Sequence, residues 1–364
     1  MRESINNEDI LSGRGRRMPL VLGLIKYYCK KTLRIIFRIA AVLIILALGL
    51  LAYVNLPVSK ADNSAKLGIT FSSRYSRDIG LNWQENFIAI LDDLQVRKIR
   101  IPVYWDLVEP KENQYDFAEI DWQLQEAKKR DAEIILSVGQ KVPRWPECFV
   151  PAWTKDDMEK KKGALLQMIS KTVLRYKNDP TVKYWQVENE PFLNFGICPV
   201  ADENLIDSEI ALVRTLDPTR KIIVTDSGEL SLWYKAASRA DVFGTTMYRT
   251  IYSNHFGRGY YWAYPIGPRF FQVKALINKY IAKQDNNIVI ELQAEPWIAG
   301  WTIDGTLEEQ FKSMNPARLR DNVEFARKVG FPEIYLWGAE WWYWLKVQKN
   351  HPELWDTARD LFRP

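Results

Sequence analysis

Two glutamates at the ends of predicted strands are the residues best suited to chemistry. The tetrapeptide Glu188-Asn189-Glu190-Pro191 follows the apolar run 182–187, and Glu291 closes a second apolar run at 288–290. Two carboxylates at strand ends of one sheet suit glycoside hydrolysis, in which one protonates the leaving oxygen and the other attacks the sugar or activates water. The alternative for Glu190 alone is a surface glutamate in a strand-to-helix turn.

The elements that would position these carboxylates alternate between strands and helices. Strands are predicted at 67–72, 98–104, 133–138, 182–187, 221–225, 242–247, 288–292 and 333–337. Amphipathic helices are predicted at 86–94, 121–129, 162–176, 204–216, 269–282 and 317–329. Each strand is too uniformly apolar for a half-exposed antiparallel sheet, which favours a buried parallel one. Eight strands predict a (β/α)₈ TIM barrel, whose chemistry lies at the C-terminal ends of its strands. A doubly wound sheet is the alternative, but no Gly-rich phosphate loop follows the first strand.

Composition and charge narrow the class of partner. The 364 residues include 15 Trp and 17 Tyr, and aromatic faces stack well on the C–H faces of sugars, although Trp also packs between helices and sheet. Nine basic and three acidic residues give the segment 1–38 a charge of +6, which leaves −1 for the rest of the net +5. The nearly neutral remainder does not indicate a nucleic-acid partner.

One segment is apolar enough to span a membrane. Residues 39–54 contain no charge, and with 55–58 the stretch reaches the ~20 residues that a spanning helix needs. Four basic residues between 30 and 38 precede it, against Lys60 and Lys66 after it, so the positive-inside rule predicts a cytoplasmic N-terminus. A cleaved signal peptide is the alternative, but no small-residue cleavage site follows Leu51.

The sequence thus predicts an uncleaved signal-anchor and an extracytoplasmic barrel. The predicted divisions are a basic cytoplasmic tail at 1–38, a transmembrane segment at 39–58, a linker at 59–65 and the barrel at 66–364.

The second predicted strand carries a family signature. Residues 100–105 read RIPVYW, followed by Glu109-Pro110 and by Tyr115-Asp116-Phe117. This pattern resembles glycoside hydrolase clan A, the retaining barrel glycosidases that include cellulase-like and β-galactosidase-like families. The resemblance implies that Arg100 lies under the nucleophile and orients it, and it makes Trp105 a candidate for substrate binding.

The resemblance also assigns roles at strands four and seven. It implies that Glu190 is the general acid/base and that Asn189 binds the hydroxyl next to the anomeric carbon. Strand alternation would put Glu188 and Glu190 on one face, so the motif and not periodicity selects Glu190. Glu291 is the expected nucleophile, with Glu295 as the alternative and otherwise a substrate-binding residue. Retention implies carboxyl groups ~5 Å apart.

Three aromatic residues at other strand ends are further candidates by resemblance. Trp145, in the turn 143–146, would stack on a sugar or seal the turn. Tyr248 would donate a hydrogen bond to the nucleophile, and Trp337 would form the platform under the bound sugar. Each has an ordinary packing role as its alternative.

The three cysteines fall on both sides of the predicted membrane. Cys29 precedes the apolar segment, where it would be a free or lipidated thiol. Cys148 and Cys198 follow strands three and four in a compartment where disulfides persist, and loops on adjacent strands can bring them together. A Cys148–Cys198 disulfide is therefore expected, with two separate buried thiols as the alternative.

Together these features predict a membrane-anchored retaining glycosidase that cleaves O-glycosidic bonds of an oligo- or polysaccharide, with β-linkages favoured. With only His255 and His351, and no cluster of His, Cys and Asp at ligand spacing, no metal or cofactor is expected. A membrane-tethered barrel that binds glycan without cleaving it and a transglycosylase using the same pair are the alternatives.

Overall fold

The computed structural model describes residues 17–154, 158–254 and 257–363, and the side chains within them from residue 25 onward except that of Met158. The first sixteen residues of the predicted basic tail, and His255, lie outside the described residues. The chain divides into two compact units, one ending at Leu56 and the other beginning at Pro57.

The first unit contains one long helix, α1 (Arg17–Val54). Its segment Ile25–Val54 is long and apolar enough to cross a membrane, which are also properties of a signal sequence. The helix ends at Val54, so residues 55–58 of the predicted span lie beyond it. The basic residues between 30 and 38 lie within the helix and are exposed, and so is Cys29, the free cysteine.

The second unit is a closed parallel barrel, as the sequence predicts. Its eight strands are β1 (Lys66–Thr70), β2 (Lys98–Pro102), β3 (Glu133–Val138), β4 (Val182–Val187), β5 (Ile222–Asp226), β6 (Val242–Met247), β9 (Asn287–Gln293) and β10 (Glu333–Trp337). They pair around the barrel in the order β1-β10-β9-β6-β5-β4-β3-β2. A separate antiparallel hairpin is formed by β7 (Thr250–Ser253) and β8 (Tyr260–Ala263).

Helices surround the strands. Those of the second unit are α2 (Ser73–Asp78), α3 (Trp83–Asp92), α4 (Trp105–Val108), α5 (Ala118–Lys128), α6 (Met158–Tyr176), α7 (Glu203–Leu216), α8 (Tyr234–Ala237), α9 (Pro268–Ile281), α10 (Leu307–Ser313), α11 (Pro316–Val329), α12 (Ala339–Gln348) and α13 (Glu353–Phe362). Asn82, Asp202 and Asn315 begin α3, α7 and α11 by accepting hydrogen bonds from backbone N–H groups of the first turn.

Alternation along the strands separates two hydrophobic layers. Ile134 and Leu136 belong to the large core that includes the helices, whereas Ile135 packs with Ile223 and Ile290 in a smaller cluster. Because successive side chains of a strand point to opposite faces, the smaller cluster is the barrel interior. The strands therefore read as continuous apolar runs, with both faces buried.

The predicted strands at 67–72 and 98–104 run two residues too far. The hydroxyl of Ser72 caps α2 by accepting a hydrogen bond from the N–H of Tyr75, and Tyr104 precedes the first turn of α4. The hairpin of β7 and β8 has no counterpart in the predicted elements. It is attached to the barrel through Gln293, whose side-chain oxygen accepts hydrogen bonds from the N–H groups of Arg249 (2.8 Å) and Thr250 (2.9 Å).

A disulfide joins the loops that follow β3 and β4. Cys148 and Cys198 are bonded, with their Cα atoms 5.3 Å apart. The Cα separation lies within the range that a disulfide requires. The bond closes a sequence separation of 50 residues and fixes two loops at the C-terminal end of the barrel to each other.

We expect the unreduced, denatured full-length chain to expose one reactive thiol, that of Cys29, and the reduced chain to expose three. Removing the bond by the double change Cys148→Ser and Cys198→Ser should lower stability by up to about 4 kcal/mol, because the unfolded chain regains the entropy of an open loop. Thiol titration and chemical denaturation measure the two effects. Three reactive thiols without reductant would contradict the pairing.

Candidate active site

Arg100 lies at the centre of the candidate site. It occupies an inward position on β2 and is fully buried. Its Nε donates a hydrogen bond to Gln186 (2.7 Å), one terminal nitrogen to Glu291 (2.6 Å) and the other to the side-chain oxygen of Asn189 (2.6 Å). One guanidinium from β2 thus fixes groups on β4, in the turn after β4, and on β9. In this structure Arg100 therefore orients the predicted site residues and has no exposed surface of its own.

Glu291 reaches the barrel interior through an irregularity in β9. The register of β9 against β6 shifts between the pairs Thr245–Val289 and Thr246–Glu291, which leaves Ile290 as an extra residue. Such a bulge re-aims the side chains that follow it. The carboxylate of Glu291 accepts hydrogen bonds from Arg100 on one oxygen and from the Tyr248 hydroxyl (3.1 Å) on the other. Both oxygens are therefore oriented by a donor.

Glu190 lies in the turn after β4 and has a left-handed backbone, with φ of 42°. Its N–H donates to the Thr225 hydroxyl (2.8 Å), and its Oε1 accepts a hydrogen bond from the Thr246 hydroxyl (3.2 Å). Burial, followed by the negative charges of Glu291 and Glu147, raises the pKa of Glu190 well above its usual value. A carboxyl in this environment holds its proton, as a general acid must.

Glu188 takes part in a different set of hydrogen bonds from Glu190. Its backbone φ is 56°, and its carboxylate accepts hydrogen bonds from the N–H groups of Gln140 (2.9 Å) and Lys141 (2.7 Å). The Lys141 ammonium in turn donates to the carbonyl of Glu190 (3.0 Å). Burial raises the pKa of Glu188 to about 7. This glutamate joins the turns after β3 and β4.

Asn189 contacts a carboxyl that the sequence did not single out. Its side-chain nitrogen donates to Oε2 of Glu147 (2.9 Å), a residue of the loop after β3 with only 5% of its surface exposed. Burial, and then the charge of Glu291, raises the pKa of Glu147 to about 8. In the sequence, the only indication of a role for Glu147 is that it precedes Cys148 in a loop at the C-terminal end of the barrel.

Glu295 belongs to a different network from that of Glu291. Its Oε1 accepts hydrogen bonds from Arg144 (2.5 Å) and from the indole N–H of Trp337 (2.7 Å). Arg144 also donates to Glu340 (2.7 Å), and its guanidinium lies 4.2 Å from the centre of the Trp337 ring. Trp337 is only 7% exposed, with Arg144 against its ring. Neither Arg144 nor Glu340 was predicted, because their pairings join residues distant in sequence.

Aromatic side chains form a continuous row from the surface to Tyr248. Trp145 is 52% exposed and contacts Phe195 (6.1 Å between ring centres), which contacts Trp297 (6.2 Å), which contacts Tyr248 (5.2 Å). Of these, Phe195 and Trp297 were not predicted. The row ends at the tyrosine that donates to Glu291. It offers exposed aromatic surface beside the carboxylates.

Trp105 does not reach this rim. It is fully buried, and its indole N–H donates a hydrogen bond to Glu109 (2.8 Å). Trp105 begins the short helix α4, and its ring packs in the core with no exposed surface for a ligand. Among the described residues, no group of three or more His, Cys, Asp or Glu side chains is arranged to hold a metal ion.

Comparison with known proteins identifies the family. The family model described as cellulase (glycosyl hydrolase family 5) matches residues 61–264, which is more than half of the chain. A search of curated protein sequences gave no significant match.

Solved structures share the fold at low sequence identity. A β-galactosidase from the Antarctic haloarchaeon Halorubrum lacusprofundi is 13% identical, with a TM-score of 0.56 over 82% of this chain and 57% of that chain. A β-galactosidase from Bacillus circulans sp. alkalophilus is 11% identical, with a TM-score of 0.56 over 82% and 55%. A family 10 endoxylanase from a sugarcane soil metagenome is 12% identical, with a TM-score of 0.55 over 82% and 98%. The chain thus spans little more than half the length of the β-galactosidases.

The family match confirms the resemblance to glycoside hydrolase clan A, and the closed eight-stranded barrel confirms the predicted fold. The chain belongs to the cellulase family, glycosyl hydrolase family 5, a family of glycosidases, and it has the TIM-barrel fold.

Proposed function

We propose that the chain is a retaining glycosidase that cleaves β-linked O-glycosides with Glu190 as acid/base and Glu291 as nucleophile. The observation that carries this proposal is the contrast between the two carboxyls. Glu291 accepts a hydrogen bond from a buried guanidinium, whereas the pKa of Glu190 is raised by burial and by neighbouring negative charge. The different environments of the two carboxyls suit a division of roles, in which the carboxyl held by the guanidinium attacks the sugar and the carboxyl with the raised pKa donates the proton.

In the first step, Glu190 transfers its proton to the glycosidic oxygen while Glu291 attacks the anomeric carbon. The bond between that carbon and the oxygen breaks, the aglycone leaves as an alcohol, and the sugar becomes an ester of Glu291. Arg100 and Tyr248 orient the attacking carboxylate through their hydrogen bonds. For this retaining mechanism we expect the carboxyl groups of Glu190 and Glu291 to lie ~5 Å apart.

In the second step, Glu190 acts as a base. It takes a proton from a water molecule, whose oxygen attacks the anomeric carbon, and Glu291 leaves as a carboxylate. Two inversions restore the original configuration of the sugar. Asn189 binds the hydroxyl next to the anomeric carbon throughout, and its amide is oriented by Arg100 (2.6 Å).

The β-linkage and the extended substrate rest on two further observations. The names of the structural neighbours include β-galactosidases and an endoxylanase. The row of Trp145, Phe195 and Trp297 suits stacking on additional sugar rings, with Glu295 and Trp337 as further contacts. A barrel that binds glycan without hydrolysis would have no need for the paired environments of Glu190 and Glu291.

The proposed location is the extracytoplasmic face of a membrane. The segment Ile25–Val54 is the candidate span, and basic residues concentrate at its N-terminal part. By the positive-inside rule, this end remains in the cytoplasm and the barrel is exported. The disulfide between Cys148 and Cys198 suits an oxidising compartment.

Replacing the two glutamates should give opposite azide products. On aryl β-glycosides with a dinitrophenyl leaving group, which needs no protonation, Glu190→Ala should still form the glycosyl-enzyme, and azide should release it as a β-glycosyl azide. Glu291→Ala should lose hydrolysis, and azide should attack directly to give the α-azide. Product analysis by NMR distinguishes the two. The reverse pattern would exchange the roles, and the α-product from Glu295→Ala would transfer the nucleophile to Glu295.

The pH dependence should carry the signature of Glu190. Because its pKa is raised, the acid form persists to higher pH than in an ordinary glutamate, and kcat/KM should fall only as pH rises through that raised pKa. In Glu190→Ala, the alkaline fall should disappear for the dinitrophenyl substrate, while poor leaving groups should lose about 10²–10⁴-fold in rate. If kcat/KM of the variant still fell at high pH as it does in the wild type, the alkaline fall would belong to another group.

Reporter fusions test the orientation of the full chain. An enzyme reporter that is active only outside the cytoplasm should be active when it is fused after residue 60 and inactive when it is fused before residue 30. Reversing the charge of Arg34 and Arg38 should weaken this preference, because these residues retain the N-terminal end in the cytoplasm. Activity of the early fusion would overturn the orientation, and a mature N-terminus beyond Tyr53 would show a cleaved signal peptide.

A further inference from the structure

Glu147 is a buried carboxyl at the site to which the proposed reaction assigns no task. It lies in a tight turn of the loop after β3, where its N–H donates to the carbonyl of Arg144 (2.7 Å) and its carbonyl accepts from the N–H of Val142 (2.9 Å). Its backbone is left-handed, with φ of 76°. The loop therefore holds residue 147 in a costly backbone conformation, and its carboxyl is buried close enough to Glu291 to feel that residue's charge.

The contact of Glu147 completes the orientation of Asn189. The side-chain oxygen of Asn189 accepts from Arg100 (2.6 Å), and its nitrogen donates to Oε2 of Glu147 (2.9 Å). An amide nitrogen carries two hydrogens. With one hydrogen committed to Glu147, the direction of the other is fixed, and it remains available for a substrate hydroxyl.

The loop after β4 also packs closely against Glu147. Gly196 has φ of 86°, and a Cβ atom at this position would lie 2.7 Å from the Cβ of Glu147 and 2.7 Å from the carbonyl oxygen of Pro146. The N–H of Ile197 donates to the same carbonyl (2.9 Å), and Cys198 is bonded to Cys148. Glu147 is thus confined between Asn189 and a loop attached by a disulfide.

We infer that Glu147 is a positioning residue, which directs the free N–H of Asn189 toward the sugar hydroxyl next to the anomeric carbon. The disulfide-linked loop keeps Glu147 in place for this task. The inference rests on the proposed function, and it adds a third carboxyl that neither donates the proton nor attacks the sugar.

The consequence depends on the hydroxyl itself. Hydrogen bonds to this hydroxyl strengthen in the transition state of glycoside hydrolysis. Misdirecting Asn189 should therefore lower kcat more than it raises KM. The turnover of a substrate that lacks this hydroxyl should not depend on Glu147. A general loss of folding would instead lower the turnover of both substrates equally.

The test compares aryl β-glycosides with their 2-deoxy counterparts on the full-length enzyme. Glu147→Ala should lose about tenfold or more in kcat on the hydroxylated substrate, as expected for a hydrogen bond to a carboxyl, and much less on the 2-deoxy substrate. Glu147→Gln should recover most of the loss, because its amide oxygen still accepts from Asn189. Equal losses on both substrates, or no loss on either, would overturn the inference.

Two glycine variants provide a matched second test. Gly196→Ala places a methyl group against Glu147, whereas Gly300→Ala introduces similar backbone strain at φ of 80° with no atom within 4 Å of the new Cβ. Only Gly196→Ala should reproduce the hydroxyl-dependent loss. If the wild-type enzyme hydrolyses no β-glycoside, the proposed function fails; if it is active but Gly196→Ala and Gly300→Ala behave alike, the role of the loop in holding Glu147 fails.

Discussion

The buried guanidinium of Arg100 is the interaction on which the site depends. A cation without any exposed surface is costly unless opposite charge and hydrogen bonds compensate for its lost hydration. Glu291, Asn189 and Gln186 provide that compensation at 2.6–2.7 Å. Because all five guanidinium hydrogens lie in one plane, the partners must approach from fixed directions. The requirement to satisfy one cation therefore orients the expected nucleophile and the expected hydroxyl-binding amide together.

The same cation contributes to the different environments of the two proposed catalytic glutamates. Arg100 donates a hydrogen bond to Glu291, whereas the carboxyl of Glu190 accepts one from the neutral hydroxyl of Thr246. Burial and the charge of Glu291 then raise the pKa of Glu190. Glu291 therefore has a cationic hydrogen-bond donor, while the surroundings of Glu190 favour its neutral form. Tyr248 adds an orienting donor without adding charge.

The sequence predicted the barrel well because each strand is a continuous apolar run, and the spans 133–138, 182–187, 242–247 and 333–337 agree with the structure. Periodicity could not distinguish Glu188 from Glu190, because the directions of both side chains depend on the left-handed backbone conformations of these two residues in one turn. The bulge at Ile290 could not be predicted from the sequence either. Arg144 and Glu147 were not predicted because their hydrogen-bond partners lie beyond the ends of other strands, and pairings between residues distant in sequence leave no local pattern.

In the proposed function, the division between barrel and loops also separates chemistry from recognition. Arg100 and Glu291 lie on strands, and Glu190 follows its strand within three residues, so barrel closure fixes their positions. Trp145 and Phe195 lie instead in the loops that the disulfide joins, where insertions and substitutions disturb little of the core. Asn189 lies between the barrel and the loops, because it is hydrogen-bonded to Arg100 of the barrel and to Glu147 of the loop after β3. A change in the loop can therefore alter which sugar is held while the carboxyl pair keeps its geometry.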